Sequence, residues 1–233
     1  MKSFYTNIFI SILAVFCLVF QSSAEDLKPL PSSGKLEAKL GKSYQMPVTI
    51  YIPEGTGAKP LILVIHTSGG LNQSEHDYAA ALQKEGFLSV VPDFYTPYSL
   101  TPPQKKLTWT KYREDIHNDF TAIISQLKTM SNGSVKEVFA VGFSNGGYWA
   151  AALAARGDID AGVSYYGAYS EGGTLRGRGA LEGGSILSNI SSKSAPVLMF
   201  HGTADSFVPL KWVARKFERL YPDIEAHYIV EKN

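Results

Sequence analysis

A glycine-bounded serine, Gly142-Phe143-Ser144-Asn145-Gly146-Gly147, stands between two apolar runs of this chain. Val138-Phe139-Ala140-Val141 precedes it, and the alanine-rich run Tyr148-Trp149-Ala150-Ala151-Ala152-Leu153-Ala154 follows. Strand, sharp turn, helix is the context that a G-x-S-x-G nucleophile elbow requires. An elbow holds its serine in a strained backbone conformation. Gly142 and Gly146 remove the side chains that would collide where strand and helix meet. The serine oxygen then stands at the end of a sheet, beside a helix N-terminus whose amides favour negative charge. Ser144 is therefore the expected nucleophile.

The rest of the chain can supply the scaffold this turn needs. It has 233 residues, 45% of them hydrophobic, with a formal net charge of +1. That suits one α/β domain with a substantial core. The balanced charge gives no sign of a nucleic-acid partner.

The first 24 residues read as a signal peptide rather than as part of the fold. Lys2 gives a positive start, Ile8 to Phe20 is almost wholly apolar, and Ser22-Ser23-Ala24 offers small residues for cleavage after Ala24. The apolar run is shorter than the roughly 20 residues of a membrane span. The expectation is a secreted or periplasmic protein with no stable membrane insertion once cleaved. Cys17, the sole cysteine, would leave with the signal, so neither a disulfide nor a thiol nucleophile is expected. Removing Lys2 leaves 21 basic against 21 acidic residues.

Residues 25–44 are polar, with Pro29, Pro31 and Gly34, and read as a loose lead-in to a domain over 45–233. Strands are expected at Met46–Pro53, Leu61–His66, Phe87–Asp93, Val138–Val141, Ala161–Tyr166, Pro196–His201 and Glu225–Val230. Leu61–His66 is apolar without alternation, the mark of a strand buried on both faces of a parallel sheet. Helices are expected at Glu75–Lys84, Tyr112–Met130 and Leu210–Leu220. Thr96–Thr108 is proline-rich and irregular, and Glu171–Gly184 is a glycine-rich loop. Alternating strands and helices predict an α/β fold with a mainly parallel sheet.

A serine nucleophile needs a base, and the base needs an orienting acid. His201-Gly202-Thr203-Ala204-Asp205 directly follows an expected buried strand, which puts Asp205 at the same end of the sheet as Ser144. Asp205 is thus the candidate acid, its other reading being a turn cap before Val208-Pro209-Leu210. The oxyanion should be held by backbone amides, one from Asn145 and one from the loop His66-Thr67-Ser68-Gly69-Gly70. Ser68 is the candidate there. His66, Thr67 and Tyr95 are the candidate substrate-facing residues. Tyr98, Trp109 and Tyr148 have the same chemistry, but such residues are more often core. No cofactor or metal is implied.

These segments resemble the dienelactone hydrolase family of α/β-hydrolases. Ile65-His66-Thr67-Ser68-Gly69-Gly70-Leu71-Asn72, Val91-Pro92-Asp93-Phe94-Tyr95, the elbow and His201-Gly202-Thr203-Ala204-Asp205 stand in the family's order. The resemblance covers about residues 45 to 230 and implies an α/β-hydrolase fold. It implies nucleophile, acid and oxyanion roles for Ser144, Asp205, Ser68 and Asn145. Three departures stand out. The family's name-giving members have cysteine at Ser144 and glutamate at Thr67. They also carry an arginine near Tyr95, where Thr96-Pro97-Tyr98 stand here. An ester hydrolase acting on a small molecule other than dienelactone is therefore expected.

In the family the base is a histidine after the last main strand, some 25 to 35 residues past Asp205. That interval reaches the end of the sequence at Asn233, so the expected base and closing helix are absent and a C-terminally incomplete chain is inferred. His227 lies inside an expected strand, with its side chain toward a sheet face. The alternative to an esterase is a non-catalytic binding protein on the same scaffold. The short glycine-rich loop and the lack of an added domain argue against a peptidase. Oligomeric state is not legible.

Overall fold

A computed structural model describes residues 27–169, 191, 193–209 and 228–229. The signal segment, the 171–184 loop, the 210–220 helix and His227 lie outside the described residues. The strands are Gly34–Leu40 (β1), Met46–Ile52 (β2), Leu61–Ile65 (β3), Leu88–Pro92 (β4), Val138–Phe143 (β5), Ala161–Tyr165 (β6), Val197–Phe200 (β7) and Tyr228–Ile229 (β8). The helices are Gln73–Lys84 (α1), Arg113–Met130 (α2) and Asn145–Arg156 (α3). Thr96–Tyr98 and Pro102–Thr108 form short 3-10 turns, each with proline at its start, where the missing N–H is harmless.

The strands make one sheet in the order β1-β2-β4-β3-β5-β6-β7-β8. β1, β2 and β4 pair antiparallel, and every pair from β4 through β8 is parallel. This is the α/β architecture expected from the alternation of strands and helices.

Side-chain alternation divides the core between the two sheet faces. From β3, Leu61, Leu63 and Ile65 join α2 and α3 residues such as Phe120, Ile123, Trp149 and Leu153 on one face. Ile62 and Val64 join Ala79 of α1, Val91 and Val141 on the other. All five β3 residues are buried, which is why the run shows no polar alternation.

One expectation is corrected. The segment read as a loose lead-in contains β1, which pairs along its length with β2, from Gly34 opposite Ile52 to Leu40 opposite Met46. Leu36, Ala38 and Leu40 turn toward the core while Lys35, Glu37 and Lys39 are more exposed. This is alternation with charged residues guarding an edge strand. The α1 helix starts two residues earlier than expected because Asn72 caps it. Its side chain accepts from the Ser74 amide at 2.9 Å, and Glu75 accepts from the Asn72 amide at 3.2 Å.

Candidate active site

Parallel strands place the loops after β3, β5, β6 and β7 at one end of the sheet, where sites of open α/β folds gather. Ser144 leaves β5 there with φ 52° and ψ −106°, a conformation costly for a residue with a side chain. Its surroundings hold it in place. The Ser144 amide donates to the Tyr165 carbonyl at 2.9 Å, and its own carbonyl accepts from the amides of Tyr148 and Ala168, both at 3.1 Å.

The flanking glycines are steric necessities. A Cβ on Gly142 would overlap the Gly146 carbonyl, and one on Gly146 would overlap the Ile65 carbonyl at the end of β3. A Cβ on Gly147 would press on the Ser164 hydroxyl. The elbow thus lies in close contact with both neighbouring strands.

The two candidate oxyanion amides belong to the first residue of α3 and to the turn after β3. Asn145 is the first residue of α3, whose leading N–H groups lack intrahelical acceptors. Ser68 sits in a turn closed by the Gly70 amide on the Thr67 carbonyl at 3.2 Å. Among the described residues, neither the Asn145 nor the Ser68 amide donates to a protein acceptor. Thr67 is half-buried in the same turn, where its hydroxyl accepts from the Gly69 amide at 3.0 Å.

Two candidate substrate-facing residues are corrected. His66 is 0% exposed, and Tyr95 is 4% exposed. His66 stacks on Phe94 with ring centroids 3.9 Å apart and donates through Nδ1 to the Thr67 carbonyl at 2.7 Å. Burial pushes its pKa down to about 4, against the opposing pull of the Thr67 carbonyl and Asp93. The ring is therefore a neutral strut beneath the oxyanion turn. Tyr95 donates its hydroxyl to the Ser68 carbonyl at 3.1 Å, and burial pushes its pKa up to about 12. Both residues support the loop from inside. Tyr98, Trp109 and Tyr148 are likewise buried.

Asp205 is partly exposed in the loop after β7. Its Oδ1 accepts from the amides of Phe207 and Val208, each at 2.8 Å. Its Oδ2 lies 3.6 Å from Nε2 of His201. The loop geometry therefore fulfils the turn-cap reading and leaves the second oxygen for a further partner. His201 is buried and its Nε2 donates to the Val208 carbonyl at 2.6 Å, a structural role. His76 pairs with the Tyr51 hydroxyl at 3.1 Å, and His117 with Asp158 at 3.1 Å. None of the four described histidines bonds to Ser144. No group of residues suited to hold a metal ion occurs among the described residues.

Tyr166 was not singled out from the sequence. It stands at the end of β6 with φ 39° and is 40% exposed. Its pKa is raised by burial first, then by the charges of Glu75 and Asp205, which places it among the groups rimming this end of the sheet.

Comparison with known proteins converges on this scaffold. The dienelactone hydrolase family model matches residues 46–227. No curated protein matches the sequence. Among solved structures, Est1E from Butyrivibrio proteoclasticus superposes with a TM-score of 0.62 at 18% identity, covering 86% of this chain and 90% of that one. TT1662 from Thermus thermophilus gives 0.65 at 18% identity, covering 85% and 89%. The Pyrococcus horikoshii acylaminoacyl peptidase gives 0.65 at 15% identity, covering 88% of this chain and 37% of the longer one. At these identities the likeness establishes the α/β-hydrolase fold.

Proposed function

The chain belongs to the dienelactone hydrolase family, a hydrolase family, and on that premise we propose that it cleaves carboxylic esters through an acyl-enzyme on Ser144. The observation that carries the reading is the strained Ser144, with the Asn145 and Ser68 amides donating to no acceptor among the described residues.

In the proposed cycle Ser144 Oγ attacks the ester carbonyl carbon and its proton passes to a general base. The carbonyl oxygen becomes an anion held by the two amides. The carbon–oxygen bond to the alcohol then breaks, and the alcohol leaves with the proton. Water adds to the acyl carbon, loses its proton to the base and releases the acid, restoring Ser144. Asp205, whose Oδ1 is fixed by two amides, would orient the base through Oδ2.

Serine in place of the family's cysteine makes general-base activation essential, because an unassisted hydroxyl is a poor nucleophile. Residues 1–24 support export with cleavage after Ala24, which N-terminal sequencing of the mature protein tests.

The test of the reaction is turnover of p-nitrophenyl acetate by the purified protein. Ser144→Ala should abolish it. Equal rates for parent and variant would refute the serine mechanism.

A further inference from the structure

The large hydrophobic side chains exposed among the described residues are Tyr44 at 42%, Tyr166 at 40% and Phe207 at 81%. Tyr44 is ordinary surface, its ring packed on Tyr98 with centroids 4.6 Å apart. The other two stand at the end of the sheet that holds Ser144 and Asp205. Tyr166 directly follows β6, and its amide donates to the Phe200 carbonyl at the end of β7 at 2.7 Å. Phe207 lies in the loop that leaves β7, and its amide donates to Oδ1 of Asp205 at 2.8 Å.

The backbone around Tyr166 is tied to the nucleophile. The Tyr165 carbonyl before it accepts from the Ser144 amide at 2.9 Å, and the Ala168 amide after it donates to the Ser144 carbonyl at 3.1 Å. Tyr166 itself holds φ 39°. The other non-glycine residues with positive φ among those described are Ser99, Asn132 and Ser144, all with short side chains. A bulky ring in that conformation is strained, and glycine would suit the turn better, so the fold alone does not account for a tyrosine here. Its ring touches Phe143, the residue before Ser144, with centroids 6.3 Å apart, yet stays in part open to water. Phe207 carries the same implication more strongly, since a ring so exposed adds little to folding.

We propose that the Tyr166 and Phe207 rings form an aromatic rim that takes the apolar group of the ester, so that the substrates are esters bearing a medium-length hydrocarbon chain. The inference rests on the acyl-enzyme reading above and names the substrate class for it. Small-molecule sites are lined mainly by hydrophobic and aromatic side chains, with a few polar groups at the reacting atoms. Here Ser144, Asp205 and the two candidate amides are the polar groups, and the two rings are apolar surface beside them that water still covers. A chain laid on the rings releases that water, and the gain grows with each methylene. The same chemistry serves a chain on the acyl side or on the alcohol side.

The test is hydrolysis of ethyl acetate, ethyl hexanoate and hexyl acetate by the purified protein, followed as acid release at constant pH. The parent should turn over one or both of the longer esters with a kcat/KM at least about tenfold above that for ethyl acetate. Phe207→Ala and Tyr166→Ala should each lower that ratio about fivefold, and Tyr166→Phe should restore it. The ratio separates the rim from a disturbed Asp205, which would slow all the esters alike. A loss confined to ethyl hexanoate puts the acyl chain on the rim, and one confined to hexyl acetate puts the alcohol there. A parent indifferent to chain length, or a ratio unchanged in both alanine variants, would overturn the rim and, with Ser144→Ala inactive, leave the mechanism intact. Should the parent show no Ser144-dependent turnover, the acyl-enzyme reading fails, and titration with the unreactive N-hexylhexanamide decides the rim alone. A Kd raised about fivefold by Phe207→Ala supports it, and an equal Kd overturns it.

Discussion

Tyr98 donates its hydroxyl to Oδ2 of the fully buried Asp119 at 2.7 Å. The other carboxylate oxygen accepts three consecutive amides, from Lys42, Ser43 and Tyr44, at 2.7, 2.6 and 3.2 Å. One side chain of α2 thereby ties the β1–β2 connection to the 3-10 turn that follows Tyr95. A carboxylate with four donors is satisfied without a cation.

Asp119→Ala strips the acceptor from all four donors at once. It should lower unfolding free energy by at least about 3 kcal/mol. Urea unfolding checks this, with the loss seen as a shifted midpoint at constant slope.

The elbow glycines differ sharply from a surface glycine. Gly146→Ala drives a Cβ into the Ile65 carbonyl, so it should give protein that is insoluble or destabilised by more than about 4 kcal/mol. Gly57→Ala meets open space and should change stability by less than about 1 kcal/mol. Soluble yield and thermal midpoints of the pair provide the comparison.

His66 gives the fold a dependence on acid. Its pKa is about 4 in the folded chain, against about 6.5 when unfolded. Between those values the unfolded chain binds more protons, so this residue's contribution is unfavourable and grows as pH falls from 6.5 to 4. The total is about 3 kcal/mol, with little further change above pH 7. His66→Asn should flatten that part of the stability profile in urea titrations taken at stepwise pH. An unaltered slope would remove His66 as its source.

Arg156 grips Glu114 with both terminal nitrogens, at 3.0 and 2.8 Å, and holds its pKa down to about 2. Both groups are partly exposed, so the pair is worth only about 1 kcal/mol or less. The contribution is present above the ordinary glutamate range and disappears as pH falls through 2. Glu114→Gln should show a small deficit at pH 7 that shrinks in high salt.

Local sequence carried the elbow, the buried strands and the paired loops, because each depends on neighbours within a few residues. Gly142 and Gly146 were legible for that reason, and the close approaches around them are what glycine permits. β1 was hidden because Lys35, Glu37 and Lys39 occupy its outer positions, and an edge strand buries only alternate side chains. His66 read as a site residue because it adjoins the oxyanion turn in sequence. Its ring instead turns inward to stack on Phe94, a partner 28 positions away that no spacing rule reveals. The bond from Trp109 to Asn145 spans 36 positions, and that from Asp119 to Lys42 spans 77. Those pairings arise only once the sheet has brought the loops together.

The central claim is an acyl-enzyme on Ser144, and intact-mass measurement after a brief exposure to a fluorophosphonate tests it most directly. The account predicts one covalent adduct on the protein, mapped to the peptide containing Ser144 and absent from Ser144→Ala. An unmodified parent, or an adduct that persists in Ser144→Ala, would contradict it.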